Sequence, residues 1–298
     1  MPPAAPPPPA DGPGGTPASR GDAGAHRAKR SLGQNFLVDP TLQRRIVAAL
    51  EAEAHDVVVE IGPGRGALTR HLAGCVRRLV LVELDDVLAG ALAGRHADDP
   101  SVDVIHGDVL KTDLPAVVDR WGEARVIGNI PYNITTPILF HLLRRPRPRE
   151  IVVMVQREVA QRIVAAPGTR AYGALAVGVQ SVASARLLFG VPRRAFRPTP
   201  RVESAVVRVT PHQPPRISAS DELRLRHLTR AAFQWRRKQL GRILRSHPDL
   251  AVPEGELARV AEALDLDLER RPETLSPGAM LALARALPIP EGGGAGAD

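Results

Sequence analysis

The stretch Val57-Val58-Val59-Glu60-Ile61-Gly62-Pro63-Gly64-Arg65-Gly66 decides the reading of this chain. A β-branched run ends in glycines at alternate positions, and Ala67–Gly74 after it reads as a helix. Glycine at such a bend accepts positive φ and lets a ligand approach the backbone with no Cβ in the way. The stretch alone is a weak signal, because dinucleotide enzymes and ordinary tight turns share it. Its spacing is G-x-G-x-G rather than G-x-G-x-x-G, which tilts away from NAD and toward a smaller nucleoside cofactor.

Outward from this turn the same pattern repeats. Leu79–Glu83, Val102–His106, Arg125–Asn129 and Ile151–Gln156 read as strands, with helices at Asp86–Arg95 and Thr136–Leu143. Upstream, Asp39 can cap a helix that has Pro40 first and Leu42, Ile46, Val47 and Leu50 at helical spacing. Ala174–Val182 and Ser204–Thr210 read as two further strands, the last an antiparallel edge. Near-continuous apolar strands separated by helices mean a parallel sheet covered on both faces. The expectation is a doubly wound α/β domain over residues 31–213. After His212-Gln213-Pro214-Pro215 the strand pattern stops, and Asp221–Ser246, Glu254–Leu264 and Ser276–Leu287 read as helices of a small all-α domain over 214–290. Residues 1–30 hold 8 of the 29 prolines and no periodic apolar pattern, so a disordered tail is expected there, with a second, Gly-rich one at 291–298.

Composition narrows the function classes. The chain has 298 residues, of which 44% are apolar but only 3% aromatic, so aliphatic side chains must fill its core. No apolar run approaches the roughly 18–20 residues of a membrane helix, and no secretory h-region is present. Cys75 is the only cysteine. That excludes an internal disulfide framework and a cysteine-based zinc site, and it fits a cytoplasmic location. The nine histidines have no metal-ligand spacing, so no metal is expected. Lys and Arg outnumber Asp and Glu by 40 to 32, a balance that favours a polyanionic partner such as nucleic acid.

Three signals sit at successive strand ends, where ligands of open α/β sheets bind. Gly62 and Gly64 form the turn, and Glu83 ends the second strand, 21 residues beyond Gly62. A carboxylate there can accept both ribose hydroxyls of an adenosine. Asp108, in His106-Gly107-Asp108, can accept the exocyclic amine of an adenine, or alternatively cap its own turn. Together the three fit S-adenosylmethionine best.

The fourth strand ends in Asn129-Ile130-Pro131-Tyr132. An exocyclic aromatic amine is a poor nucleophile because its lone pair is delocalised into the ring. The Asn129 side-chain oxygen and the Ile130 carbonyl can accept its two hydrogens and draw the nitrogen toward tetrahedral geometry. Pro131 stiffens the loop, and Tyr132 offers a flat face to a flipped base.

With these residues in place the chain resembles the ribosomal RNA adenine N6-dimethyltransferases. The resemblance rests on Ser31-Leu32-Gly33-Gln34-Asn35-Phe36-Leu37, the Glu60–Gly66 turn, Asn129–Ile134 and the run from Phe196-Arg197-Pro198-Thr199-Pro200-Arg201 to Ala205, and it extends from about Lys29 to Leu287. Val155–Ala160, Arg170–Gly173 and Phe233-x-x-Arg236-Arg237-Lys238-x-Leu240 resemble the group acting on the small subunit. Ile130 departs from that group, where leucine is more usual, and is common in the large-subunit enzymes that confer macrolide resistance. The resemblance implies a Rossmann-like class I S-adenosylmethionine-dependent methyltransferase domain followed by a small all-α domain. It also implies dimethylation of two adjacent adenosines in the 3′-terminal hairpin loop of small-subunit (16S) rRNA, within a 30S pre-ribosomal particle. It places Asn35 and Leu37 in the cofactor pocket with Gly62, Glu83, Asp108 and Asn129. The target adenine falls to Asn129 and Tyr132, with Phe196 stacking on its other face. The alternative within the same chemistry is a large-subunit (23S) rRNA adenine N6-methyltransferase conferring macrolide resistance, and the alternative of another class is a non-catalytic RNA-binding assembly or transcription factor on the same fold. A monomer is the default.

Between Arg224 and Arg245 stand seven arginines and Lys238 with no acid, while Leu225, Leu228, Ala232 and Trp235 recur at helical spacing. A run wholly lacking the opposite sign reads as a phosphate-contacting surface, with Arg236, Arg237 and Lys238 at its centre. Arg144, Arg145, Arg147 and Arg149 extend that track.

Overall fold

The computed structural model describes residues 33–288, so both expected tails lie outside it, as do Ser31 and Leu32. Nine strands are described: β1 (Phe36–Leu37), β2 (Val57–Ile61), β3 (Arg78–Glu83), β4 (Val102–His106), β5 (Arg125–Asn129), β6 (Glu150–Gln156), β7 (Ala183–Val191), β8 (Phe196–Arg197) and β9 (Ser204–Pro211). The helices of the sheet region are α1 (Pro40–Ala48), α2 (Thr69–Leu72), α3 (Asp86–Arg95), α4 (Leu114–Val117), α5 (Thr135–Leu142), α6 (Arg157–Ile163) and α7 (Ala174–Gln180). Beyond them come α8 (Ala219–Gln234), α9 (Leu240–Ser246), α10 (Glu254–Ala263) and α11 (Pro277–Ala286).

The main sheet runs β4-β3-β2-β5-β6-β9-β7. Its first five strands are parallel, and β9 is antiparallel to both β6 and β7. The chain order reverses between β2 and β5, and in open α/β sheets a ligand crevice forms outside the strand ends at that point. Apolar side chains fill both faces. One cluster includes Val59, Val80, Val126 and Val153, and the opposite one includes Val58, Leu79, Ile127 and Val152, as strand alternation requires.

Local chemistry accounts for several element ends. The Asp39 carboxylate accepts from Thr41 N and Leu42 N with Pro40 at the first helical position, as expected. Asp85 caps α3 and Ser276 caps α11 in the same way.

Four expectations change. Ala174–Val182 is not a strand: Ala174–Gln180 is α7, and the strand follows at Ala183–Val191. The run is apolar because α7 is wedged between two cores, with Leu175 and Val179 in the sheet core and Ala176 and Val177 in the helical one. Such a short apolar run cannot be assigned by periodicity. The strand was masked because β7 is the exposed edge, interrupted by Ser184 and Arg186. Consequently β9 is not an edge but lies buried between β6 and β7. Asp221–Ser246 is two helices rather than one, since the turn Trp235–Gln239 separates α8 from α9. There Leu240 N and Gly241 N donate to Arg270 O and Leu268 O, which sets α9 on a new course. Helix α2 is also shorter than Ala67–Gly74.

The C-terminal helices pack on α7. Tyr172, Ala176 and Val177 share one core with Leu228, Leu244, Leu257 and Leu283, and the Tyr172 hydroxyl donates to Leu275 O at 2.8 Å. The helical core thus reaches across residue 213 into the sheet region.

Candidate active site

At the carboxyl ends of β2, β3 and β5 lies a cavity of about 510 Å³. Asn35, Leu37, Gly62, Gly64, Glu83, Asp108, Asn129, Pro131 and Tyr132 all line it. Residues spread over nearly a hundred positions therefore meet at the switch point of the sheet.

Each is held by a specific contact. Gly62 and Gly64 have φ of +64° and +59°, and a Cβ on Gly64 would lie 3.2 Å from the Phe36 ring, so the turn requires glycine. Gly64 N and Asp85 N donate to the two Glu83 carboxylate oxygens at 2.8 and 2.9 Å. Burial pushes Glu83 above its ordinary carboxylate value, although those backbone donors pull it back. Asp108 Oδ1 accepts from Leu110 N at 3.0 Å, so the acid does cap its own turn while facing the cavity.

The N-terminal segment closes one wall. Strand β1 pairs with β8, Phe36 opposite Arg197 and Leu37 opposite Phe196, which brings Asn35 over the end of β5. There Asn129 Nδ2 donates to Asn35 O at 2.9 Å. That bond fixes the amide, leaving Asn129 Oδ1 as its remaining acceptor. The Pro131 carbonyl accepts from Ile134 N and Thr135 Oγ1, each at 3.2 Å, pinning the loop into a 3-10 turn. Tyr132 is half-buried, and its hydroxyl bonds the buried Ser204 hydroxyl at 2.5 Å. Burial pushes the Tyr132 phenol up, so it stays neutral.

Phe196 is a correction. It is 0% exposed, packs with Leu37 and Ile46 and is not among the residues lining the cavity, so it offers no face to a base as it stands. Its place opposite Leu37 gives it the job of backing the N-terminal wall.

The basic run is also redistributed. Arg237 and Lys238 are exposed and, with Trp235 and Arg242, line a cavity of about 470 Å³. Arg236 lines the same cavity and also bonds Glu273 at 3.1 Å and Arg170 O at 2.9 Å, which ties the end of α8 to its neighbours. Arg245 pairs with Glu254 at 3.1 Å. The run lacks acids in sequence, but acids from other segments reach it. Trp235 is half-buried, with its ring 5.0 Å from that of His247. Three of the four arginines of the extension are likewise drawn to acids, while Arg144 is exposed. Arg145 and Arg147 clasp Glu222 at 2.6 and 2.5 Å, and Arg149 lies 3.8 Å from Asp56.

Glu60 was not singled out from the sequence. It is buried and lines the cavity, with Thr69 Oγ1 donating at 2.7 Å, and burial pushes its carboxyl up to about 8. An acid inside an otherwise apolar buried strand was the signal available. Gln34, whose Nε2 reaches Asp85 at 3.1 Å, is a second lining residue that sequence reasoning passed over.

Among the described residues no helix is long and apolar enough to cross a membrane. The model of the ribosomal RNA adenine dimethylase family matches residues 25–277. A protein named ribosomal RNA small subunit methyltransferase A in Geobacillus thermodenitrificans is 41% identical over 265 residues, covering 87% of this chain and 90% of the relative. The protein of that name in Geobacter sulfurreducens is 41% identical over 270 residues, covering 88% and 95%. Among solved structures, a dimethyladenosine transferase from Plasmodium falciparum superposes with a TM-score of 0.72 at 26% identity, covering 83% of this chain and 95% of that one. The 23S rRNA methyltransferase ErmE does so with 0.66 at 25% identity, covering 85% and 99%. Fold, cavity and matched length agree, and this chain belongs to the ribosomal RNA adenine dimethylase family.

Proposed function

We propose that the chain transfers methyl groups from S-adenosylmethionine to N6 of two adjacent adenosines in the 3′-terminal hairpin loop of small-subunit rRNA. The observation carrying this reading is that Asn129, Pro131 and Tyr132 open onto the same cavity as Gly62, Gly64, Glu83 and Asp108.

The cavity suits the methyl donor. Glu83, at the end of β3, offers acceptors for ribose hydroxyls, and Asp108 keeps Oδ2 for an adenine amine. The close glycine backbone leaves room beside them, and Asn35 and Leu37 cover the site. S-adenosylmethionine supplies a methyl carbon activated by its sulfonium.

The protein's own residues prepare the nucleophile. Asn129 Oδ1, its amide fixed by Asn35 O, accepts one hydrogen of the target amine, and the Ile130 carbonyl accepts the other. Both hydrogen bonds pull the nitrogen out of conjugation and expose its lone pair. Tyr132 supports the base by stacking, its ring steadied by Ser204. The nitrogen becomes acidic once alkylated, so its proton passes to water without a strong general base. Orientation supplies most of the rate.

Arg237, Lys238 and Arg242 are assigned to the RNA backbone. The relatives named for the small subunit, at 41% identity, favour that substrate over the large-subunit one suggested by the ErmE likeness at 25%. The reading places the enzyme in the cytoplasm, working on ribosomal particles as a monomer.

The test is to incubate purified protein with labelled S-adenosylmethionine and each rRNA separately, then map the modified nucleotides by mass spectrometry. Dimethyladenosine at two neighbouring positions of the small-subunit hairpin is expected. Label confined to large-subunit rRNA, or none at all, would overturn the reading.

A further inference from the structure

A second cavity, of about 400 Å³, lies between α5, α7 and α8 and shares no lining residue with the first. Its size falls in the range of about 300–1,000 Å³ that holds small organic ligands. The floor is apolar, with Leu143, Val182 and Leu225, and two aromatic rings, Phe140 and Phe233, stand in its walls. Phe140 is 37% exposed despite its size. It is held in place by Gly178 of α7, where a Cβ would come within 2.7 Å of the ring.

Two further features point to a ligand. Thr229 is 5% exposed, lines the cavity, and its Oγ1 has no hydrogen-bond partner. A buried hydroxyl left unpaired costs free energy, so a site that keeps one has a use for it. At the rim stand Arg226 and Arg230, both exposed and with no ion pair among the described residues. Arg226, Thr229, Arg230, Phe233 and Gln234 follow at helical spacing, so one face of α8 presents all of them together. Gln234 also lines the cavity of Trp235, Arg237, Lys238 and Arg242, so the basic rim runs on into that patch.

A slot with an apolar floor and aromatic walls, in which the Arg147–Glu222 pair and Ser181 are already bonded within the protein and Thr229 is left with an open hydroxyl, and with Arg226 and Arg230 at its mouth, matches a nucleotide: base within, phosphate outside. We propose that this cavity takes one unstacked base of the RNA substrate, away from the catalytic cavity, while Arg226 and Arg230 hold the flanking phosphates. The proposal rests on the RNA reading above and adds a second contact that positions the strand.

The test uses the full chain and a transcript of the small-subunit 3′-terminal hairpin. Ultraviolet crosslinking followed by peptide mapping is expected to give nucleotide adducts on Phe140 or Phe233 as well as on Tyr132. Thr229→Val is expected to keep or raise Tm and to weaken transcript binding three- to tenfold, with the salt slope unchanged because no phosphate contact is lost. Arg226→Ala with Arg230→Ala is expected to flatten the slope of log K against log salt by about one to two. This surface variant stays informative if Thr229→Val fails to fold. Adducts confined to Tyr132, or unaltered binding in both variants, overturn the proposal. Methyl transfer to the same transcript by the unmodified protein separates the two readings. Transfer without a role for the cavity leaves the catalytic reading standing, and adducts at Phe140 without transfer remove that reading while keeping the cavity.

Discussion

The two ends of the sheet handle charge in opposite ways. At the amino ends of β5 and β6, Arg125 is buried between Asp56 and Glu150, with both contacts at 2.8 Å. Arg208 adds Glu51 at 2.7 Å and Glu150 at 3.4 Å. Asp56, Glu150 and Glu51 each meet a guanidinium. At the carboxyl ends, Glu60 and Glu83 are equally buried but form no ion pair among the described residues, and meet a hydroxyl or backbone N–H groups instead. The pKa directions follow. Burial raises Asp56, but the Glu53 N–H and Arg125 overcome it and hold the acid below its ordinary value, whereas burial wins at Glu60 and Glu83. An acid neutralised by arginine locks strands together. One that faces a cavity with only neutral donors keeps lone pairs for a ligand.

The sharpest way to break this contrast is Asn129→Ala. It removes the acceptor proposed for the reacting amine while touching none of the ion pairs. By analogy with loss of one preorganised hydrogen-bonding group, methyl transfer should fall about 10²–10³-fold with Tm nearly unchanged. Steady-state kinetics and a thermal melt read both. Loss of less than about fivefold would remove Asn129 from the chemistry.

Arg125→Met attacks the other end. It strands Asp56 and Glu150 without their shared cation, and breaking such a buried arrangement costs about 3–5 kcal/mol. Denaturant unfolding should show that loss, while enzyme that remains folded keeps its methyl-transfer kcat. A stability change under about 1 kcal/mol would mean that water reaches these acids.

How legible each end was in the sequence follows the same division. The strands Val57–Ile61 and Arg125–Asn129 and helix Asp86–Arg95 were readable to the residue, because buried parallel strands are apolar runs and α3 has an acid cap, and the partly exposed edge strand Val102–His106 was readable from its β-branched residues. Glu83, Asp108 and Asn129 could be placed because topology alone puts strand ends together. The Arg125–Asp56–Glu150 cluster was not readable, since its members are separated in sequence by 69 and 25 positions and no pattern links them. For the same reason the bond from Arg236 to Glu273, 37 residues away, could not be read from the basic run. Phe196 misled because a motif gives residue identity but not whether a ring faces the cavity or the core.

A smaller effect sharpens the description of the catalytic edge. Tyr132→Ala removes the proposed base stacking, worth roughly 1–3 kcal/mol, and should slow transfer correspondingly, with cofactor affinity nearly intact. Tyr132→Phe and Ser204→Ala each delete one side of the hydroxyl pair. Each should lower kcat severalfold, and the double variant should be no worse than the poorer single one, because both act on the same ring. Additive losses in the cycle would mean that Ser204 does not act through Tyr132.

The smallest expected effect separates the two ends by the sign of their pH dependence. Glu60 holds its proton in the folded chain to about pH 8, whereas an ordinary glutamate releases it near 4.5. The folded state therefore binds more protons between those values, and stability is lost as pH rises through that window. Asp56 and Glu51 are shifted down, Glu51 chiefly by its hydrogen bond from Arg208, so their contribution is present above the ordinary carboxylate range and is lost as pH falls. Glu60→Gln keeps an acceptor for Thr69 but cannot ionise. Its Tm should match that of the parent near pH 5 and exceed it increasingly toward pH 8, by about 2–4 °C per kcal/mol for a chain of this class. The acid-side fall, set at the other end of the sheet, should be common to both proteins. Melting curves that stay parallel from pH 5 to pH 8 would mean that Glu60 already ionises freely in the fold, and the contrast between paired and unpaired acids would lose its clearest member.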